Sequence, residues 1–177
     1  MKIHLPQTLA QRLELALAKS AHWEIGGVLM GEHLGEDNFD IVDLSVQFSG
    51  GSAAHFVRDP HQCKVALEQF FARTEHDYRR FNYLGEWHSH PAMEALPSTV
   101  DVATMQSLVA EELLGANFAL LLVVSRIADK RLHVSSCVFE KGRVPRGVKL
   151  SIEHDNSAKG VVIDVLAFDP VSTERGQ

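Results

Sequence analysis

The sequence predicts an α/β fold, a mixed β-sheet flanked by helices, and three observations lead there. Segments whose apolar residues recur at helical spacing alternate with short, strongly apolar runs. The most apolar run, Phe118 to Val124, is followed beyond the Ala128-Asp129-Lys130 turn by Arg131 to Phe139, which can pair with it antiparallel. No internal repeat, low-complexity linker or heptad array interrupts the alternation.

Taken in order, a short N-terminal strand precedes residues 7–19, where Leu9, Leu13 and Leu17 mark an amphipathic helix. Ile25 to Met30 reads as a buried strand, and Gly26 and Gly27 let another backbone approach it closely. Gly35 to Asn38 is a turn and Phe39 to Val46 the next strand. Ser49 to Ser52 forms a loop, with a short strand expected around His55-Phe56-Val57. Asp59-Pro60 starts a helix running to about Tyr78, because Asp59 can cap free amides while Pro60 fits the first turn. Tyr83 to His90 is a strand, and Thr99 to about Leu114 a helix packing through Val102, Met105, Leu108, Val109 and Leu113. Val148 to Ile152 and Val161 to Phe168 are expected as edge strands on either side of the polar stretch from His154 to Gly160. Val171 to Gln177 is expected to fray.

A chain of 177 residues suits one domain, residues 1–177, with its core at about residues 5–140 and a C-terminal extension beyond. The net charge of −6, from 23 acidic against 17 basic side chains, offers no broad attraction for nucleic acid or for an anionic membrane. Met1 to Pro6 lacks the apolar stretch of a secretory signal, and Phe118 to Val124 is too short to span a bilayer. Cys63 and Cys137 make no disulfide framework, so a reducing, cytoplasmic setting is expected.

The chemistry is concentrated in Gly85-Glu86-Trp87-His88-Ser89-His90-Pro91, followed by Ser98-Thr99-Val100-Asp101. Residues two apart on a strand share a face, so His88 and His90 can converge on one ion. Pro91 ends the strand, and the residues up to Pro97 can return the chain so that Asp101 stands in the first turn of the next helix. Two neutral imidazoles and a carboxylate suit one zinc ion and leave a fourth position for water. The plain alternative for Ser98 to Asp101 is a capping box, with Ser98 as cap and Asp101 returning the bond. The two readings compete for Asp101 but are compatible for Ser98.

This arrangement resembles the JAMM signature of the JAB1/MPN/Mov34 zinc metalloproteases: His88-Ser89-His90, seven residues, Ser98, two residues and Asp101. Glu24-Ile25-Gly26-Gly27 has the character of the glutamate-bearing strand that the family places upstream. The resemblance spans about residues 5–140 and implies a JAB/MPN-like domain of cytidine-deaminase-like architecture. It further implies zinc held by His88, His90 and Asp101, Glu24 as acid/base, and Ser98 assisting a tetrahedral intermediate.

Glu86 shares the face of both histidines and is a candidate to orient an imidazole, or else a salt-bridged residue near the strand's start. Trp87 and Ser89 should face the other way, Trp87 into the core. Cys63 lies near His61, but helical spacing separates their directions, and Cys137 reads as packing.

The reaction this resemblance implies is amide hydrolysis after the C-terminal glycine of a ubiquitin-like modifier. The compact form looks like bacterial JAB proteins, some of which accompany E1-like and E2-like partners in antiphage operons. The alternative is a sulfur-carrier-protein peptidase serving cysteine or cofactor synthesis. A zinc nucleoside deaminase would need His-x-Glu and Pro-Cys-x-x-Cys motifs, which the sequence lacks. A catalytically silent scaffold would be expected to lack part of the ligand set, and none is missing here.

Overall fold

In a computed structural model, residues 1–20, 22–51, 56–111, 117–126, 131–152 and 161–170 are described. Among them are three helices and nine strands joined in one mixed sheet. The chain runs β1 (Lys2–Leu5), α1 (Gln7–Ser20), β2 (Gly26–Gly35), β3 (Asn38–Leu44), α2 (Pro60–Arg73), β4 (Phe81–Ser89) and α3 (Thr99–Ala110). It continues through β5 (Phe118–Ser125), β6 (Leu132–Glu140), β7 (Arg146–Gly147), β8 (Lys149–Ile152) and β9 (Ile163–Leu166).

The sheet order is β7-β6-β5-β4-β2-β3-β1-β8, with β9 parallel to β6. β5 pairs antiparallel with β6 as expected, and parallel with β4. The two ends of this path, β7 and β8, are neighbours in sequence, separated only by Val148. Val148 N donates to Ser136 O (3.2 Å) and Ser151 Oγ to Ile3 O (3.3 Å), so one extended strap joins the β6 edge to the β1 edge. The sheet therefore curls, and α1 fills its concave side. Leu9, Ala10, Leu13, Ala16 and Leu17 of α1 pack there against residues of β1 to β6 and β8.

The other face carries two smaller cores, Cys63 and Phe70 of α2 on Val28 and Met30, and Met105, Leu108 and Val109 of α3 on β5 and β6. β5 shows why a continuous apolar run is needed. Leu120, Leu122 and Val124 enter the α1 core while Ala119, Leu121 and Val123 enter the α3 core. Both cysteines pack in these cores, Cys137 as expected. The close approach expected of the early glycines is present: a Cβ on Gly27 would stand 2.2 Å from Ser45 O.

Some boundaries differ from expectation. α2 stops at Arg73, not near Tyr78, because the Thr74 hydroxyl donates to Phe70 O (3.0 Å) and Glu75 and His76 take positive φ. That reversal packs Tyr78 against Phe71, with ring centroids 5.0 Å apart. α3 ends at Ala110; Leu113 and Leu114 lie outside the described residues, as do His55, His154 to Gly160 and Val171 to Gln177. Of the strand expected around His55-Phe56-Val57, the described residues form a bridge between Gly51 and Phe56. No helix among the described residues is long and apolar enough to cross a membrane.

Candidate metal centre

β4 supplies the wall of the site, and a bulge sets which residues face it. Leu29 pairs with Gly85 but Met30 pairs with Tyr83, so Leu84 is an extra residue in the ladder. The bulge shifts the alternation by one position. Tyr83 thereby joins Glu86 and His88 on the α2/α3 face, while Leu84 and Trp87 both enter the α1 core. Gly85 permits the bulge: its φ is 156°, and a Cβ there would stand 1.9 Å from Leu120 O. Trp87 is buried as expected, its indole donating to Ser45 O (2.8 Å).

His88 and His90 converge with Asp101 as the spacing predicts. The Nε2 atoms of the histidines are 3.2 Å apart, and each lies 3.4 Å from Asp101 Oδ2. Donors bound at about 2.0–2.1 Å around a tetrahedral ion are separated by about 3.3–3.4 Å. The triangle thus has the edges that zinc requires. The loop between β4 and α3 contributes twice. Ala95 anchors it in the α3 core, and Glu94 O sits 3.1 Å from His90 Nδ1. A carbonyl can only accept, so Nδ1 carries a proton, and Nε2 is the nitrogen that can give a lone pair to a metal. Two imidazole nitrogens and a carboxylate oxygen directed at one point make a donor set suited to a cation.

Asp101 does not have to choose between cap and ligand. The capping box is complete: Asp101 N donates to Ser98 Oγ (3.2 Å) and Ser98 N to Asp101 Oδ2 (2.7 Å). The same Oδ2 accepts from the Ser98 hydroxyl (2.7 Å) and faces both imidazoles. The competition expected between the two readings is resolved by geometry, because the box itself turns the carboxylate toward the histidines. Burial pushes the Asp101 carboxyl up, but bonds from His88, His90 and Ser98 hold it far below the usual carboxylate range. Burial pulls the His90 imidazole down, and Asp101, Glu94 O and the charge of Glu24 together raise it above its ordinary value.

Glu24 is 4% exposed, just before β2. Ser89 N donates to Ile25 O (2.8 Å) and Ile25 N to Ser89 Oγ (3.0 Å). Gly26 stands opposite His88, and from just before this pair the charge of Glu24 acts on His90. Ser89, expected only to face away, is therefore what ties the Glu24 segment to β4.

Glu86 faces the site but does not join the three-donor cluster. It forms an ion pair with Arg58 and accepts from the Tyr83 hydroxyl (3.4 Å), so of the two expectations the salt-bridged one is realised. Burial pushes its carboxyl up, against the pull of Arg58 and His88. Phe56, Arg58, Glu86, His88, Asp101 and Thr104 line a cavity of about 70 Å³ beside the cluster. A larger concavity of about 730 Å³ lies between α3 and residues 142–145 and contains none of the three donors. Around the site, Trp23 next to Glu24, Met93, and Val100 next to Asp101 are exposed. Sequence reasoning missed Arg58, Tyr83, Glu94 O and these apolar residues. The bulge hid Tyr83, and no local pattern marks the others.

A mixed sheet flanked by three helices, carrying His88, His90 and Asp101 in this geometry, has the metal-binding triad typical of JAMM-type zinc metalloproteases. Residues 6–136 match the sequence model described as prokaryotic homologs of the JAB domain, and the chain belongs to that family. None of the curated proteins compared matches it. Among solved structures it is similar to the solution structure of protein DSY2949 from Desulfitobacterium hafniense, with a TM-score of 0.62 and 19% identity. That match covers 86% of this chain and 94% of the other, and at such identity it speaks for the fold alone.

Proposed function

We propose that this protein is a zinc-dependent isopeptidase or peptidase that cuts after the C-terminal glycine of a ubiquitin-like modifier joined to another protein. The observation that carries the reading is the triangle of His88 Nε2, His90 Nε2 and Asp101 Oδ2, with Glu24 buried and its charge acting on His90. His88, His90 and Asp101 would hold one zinc ion per chain, and the chemistry zinc supplies when bound is Lewis acidity toward water and the amide carbonyl. Glu24 accepts a proton from the attacking water and returns it to the departing amine. The Ser98 hydroxyl turns its proton from Asp101 to the oxygen on which negative charge develops. Trp23, Met93 and Val100 offer an apolar rim to an extended tail, and a diglycine end without side chains passes closest to the metal. The likeness to cytidine deaminases, the organisation as one domain, a cytoplasmic setting and E1-like and E2-like partners in an antiphage operon belong to the same proposal.

The test pairs the zinc-loaded enzyme with a ubiquitin-like protein encoded beside it, fused or isopeptide-linked to a target. Intact mass should show one water added at the scissile amide and a free glycine carboxylate on the modifier. Chelation should stop the reaction, and a bulky residue in place of the terminal glycine should slow it strongly. Release of a diglycine-tailed sulfur carrier from its adduct, with conjugates left intact, would move the assignment to sulfur-carrier processing. Action on neither would end the deconjugation reading.

A further inference from the structure

Glu86 is a buried carboxylate on the metal-facing side of β4, two residues before a metal-ligating histidine. Same-face neighbours on a strand lie about 6.5–7 Å apart, within reach of a glutamate side chain directed along the strand. Glu86 and His88 line one small cavity together with Asp101. Glu86 is nonetheless absent from the donor cluster. Its Oε1 is taken by the Arg58 guanidinium, from the loop before α2, and by the Tyr83 hydroxyl. The extra residue at Leu84 is what brings Tyr83 to that face. Two separate features of the fold, a loop arginine and a strand bulge, thus act on one carboxylate oxygen.

We propose that Arg58 and Tyr83 latch Glu86 so that it does not become a fourth protein ligand. A site with three protein donors keeps a position open to water, whereas four close it into a structural site. A buried carboxylate deprived of its cation seeks another, and the nearest would be the metal. Arg58 is therefore a positioning residue acting through Glu86. The inference rests on reading the site as a catalytic zinc centre, but not on the identity of the modifier.

The experiment compares the whole protein with Arg58→Met, Glu86→Gln and the double variant. Apo protein is titrated with Zn²⁺ against a chromophoric chelator, and the visible absorption of Co²⁺-loaded protein is recorded. Arg58→Met should hold zinc at least as tightly as the parent and shift the Co²⁺ spectrum, and adding Glu86→Gln should reverse both changes. Glu86→Gln alone should resemble the parent. On a cleavable ubiquitin-like fusion, Arg58→Met should lower kcat at least ~10-fold with little change in KM, and the double variant should recover to within ~3-fold of the parent. An unchanged Co²⁺ spectrum in Arg58→Met, or a double variant as slow as the single one, overturns the latch. If Arg58→Met does not fold, Tyr83→Phe takes its place, with a smaller spectral shift in the same direction expected and an unchanged spectrum again decisive against the latch. The spectral arm needs no substrate. A parent protein that cleaves nothing, combined with a shift that Glu86→Gln reverses, would remove the proposed substrate and leave the latch standing.

Discussion

The two faces of β4 come from alternate residues of one nine-residue strand, yet they serve opposite ends. On the α1 side, Leu84 and Trp87 pack into the largest apolar core, and the Ser89 hydroxyl accepts from the backbone of Ile25. On the α2/α3 side, Glu86 and His88 leave polar groups in a small cavity, Glu86 paired with Arg58 and bonded by Tyr83 of its own strand, His88 facing Asp101. The difference teaches that the reactive face is rigid because the opposite face is dry and close-packed. Burial on one side holds the pleat that aims the side chains on the other.

The sharpest way to break this comparison is to remove donors and base separately. His88→Ala or Asp101→Ala should abolish zinc retention and activity together, whereas Glu24→Ala should keep the metal and lower turnover at least ~10²-fold. Metal analysis beside a kinetic assay separates the two outcomes, and Glu24→Ala with near-parental turnover would withdraw its assignment as base. On the dry face, Trp87→Ala should cost about 3–5 kcal/mol in urea unfolding, since it empties a fully buried indole site and orphans Ser45 O. Activity per zinc-loaded folded molecule should fall far less than in the donor variants, and an equal fall would show that the faces are not separable. Between the faces, Gly85→Ala should cost about 1–3 kcal/mol, because the new Cβ meets the Leu120 carbonyl.

A smaller effect is expected far from β4, at Asp43 between Arg12 and Arg73. Burial pushes this carboxyl up, but bonds from Arg73, Leu44 N and Arg12 leave it below its ordinary value of 3.8. A folded-state value depressed in this way contributes stability above the unfolded value and loses it as pH falls through the folded one. Asp43→Asn should therefore flatten the acid limb of stability below about pH 4, by about 1 kcal/mol or less for so exposed a set of arginines. Thermal melts at stepped pH measure it.

Much of this was legible in the sequence for reasons that can be named. Leu9, Leu13 and Leu17 gave α1 because one helical stripe must be buried, and Asp59-Pro60 gave the start of α2 because the cap is local. His88 and His90 were legible through strand parity, and Asp101 through the loop that returns it. Parity failed where it had to, at Leu84, since a bulge leaves no mark beyond one glycine. Arg58 was invisible because the partner of a buried carboxylate can come from any loop that reaches it. The roles of Glu24 and Ser98 came from family resemblance and remain proposals. The chain's return at Glu75 and His76 was missed because helical spacing continued past the turn.

The strap at Arg146–Ile152 has a consequence for how the molecule is made. β1 begins at Lys2 and lies between β3 and β8, and its pairing with Lys149–Ile152 spans nearly the whole sequence. A contact of such separation carries a large loop-closure cost and belongs to the late, slow part of folding. On a ribosome, a nascent chain that has emerged only as far as Glu140 has its ligand set complete, while β1 and β6 still present unpaired edges. Those edges are ready templates for other strands until the strap arrives. The donors are synthesised before the strap, but the sheet that aims them closes only once β7, β8 and β9 have followed, which makes the interval before closure the time of greatest aggregation risk.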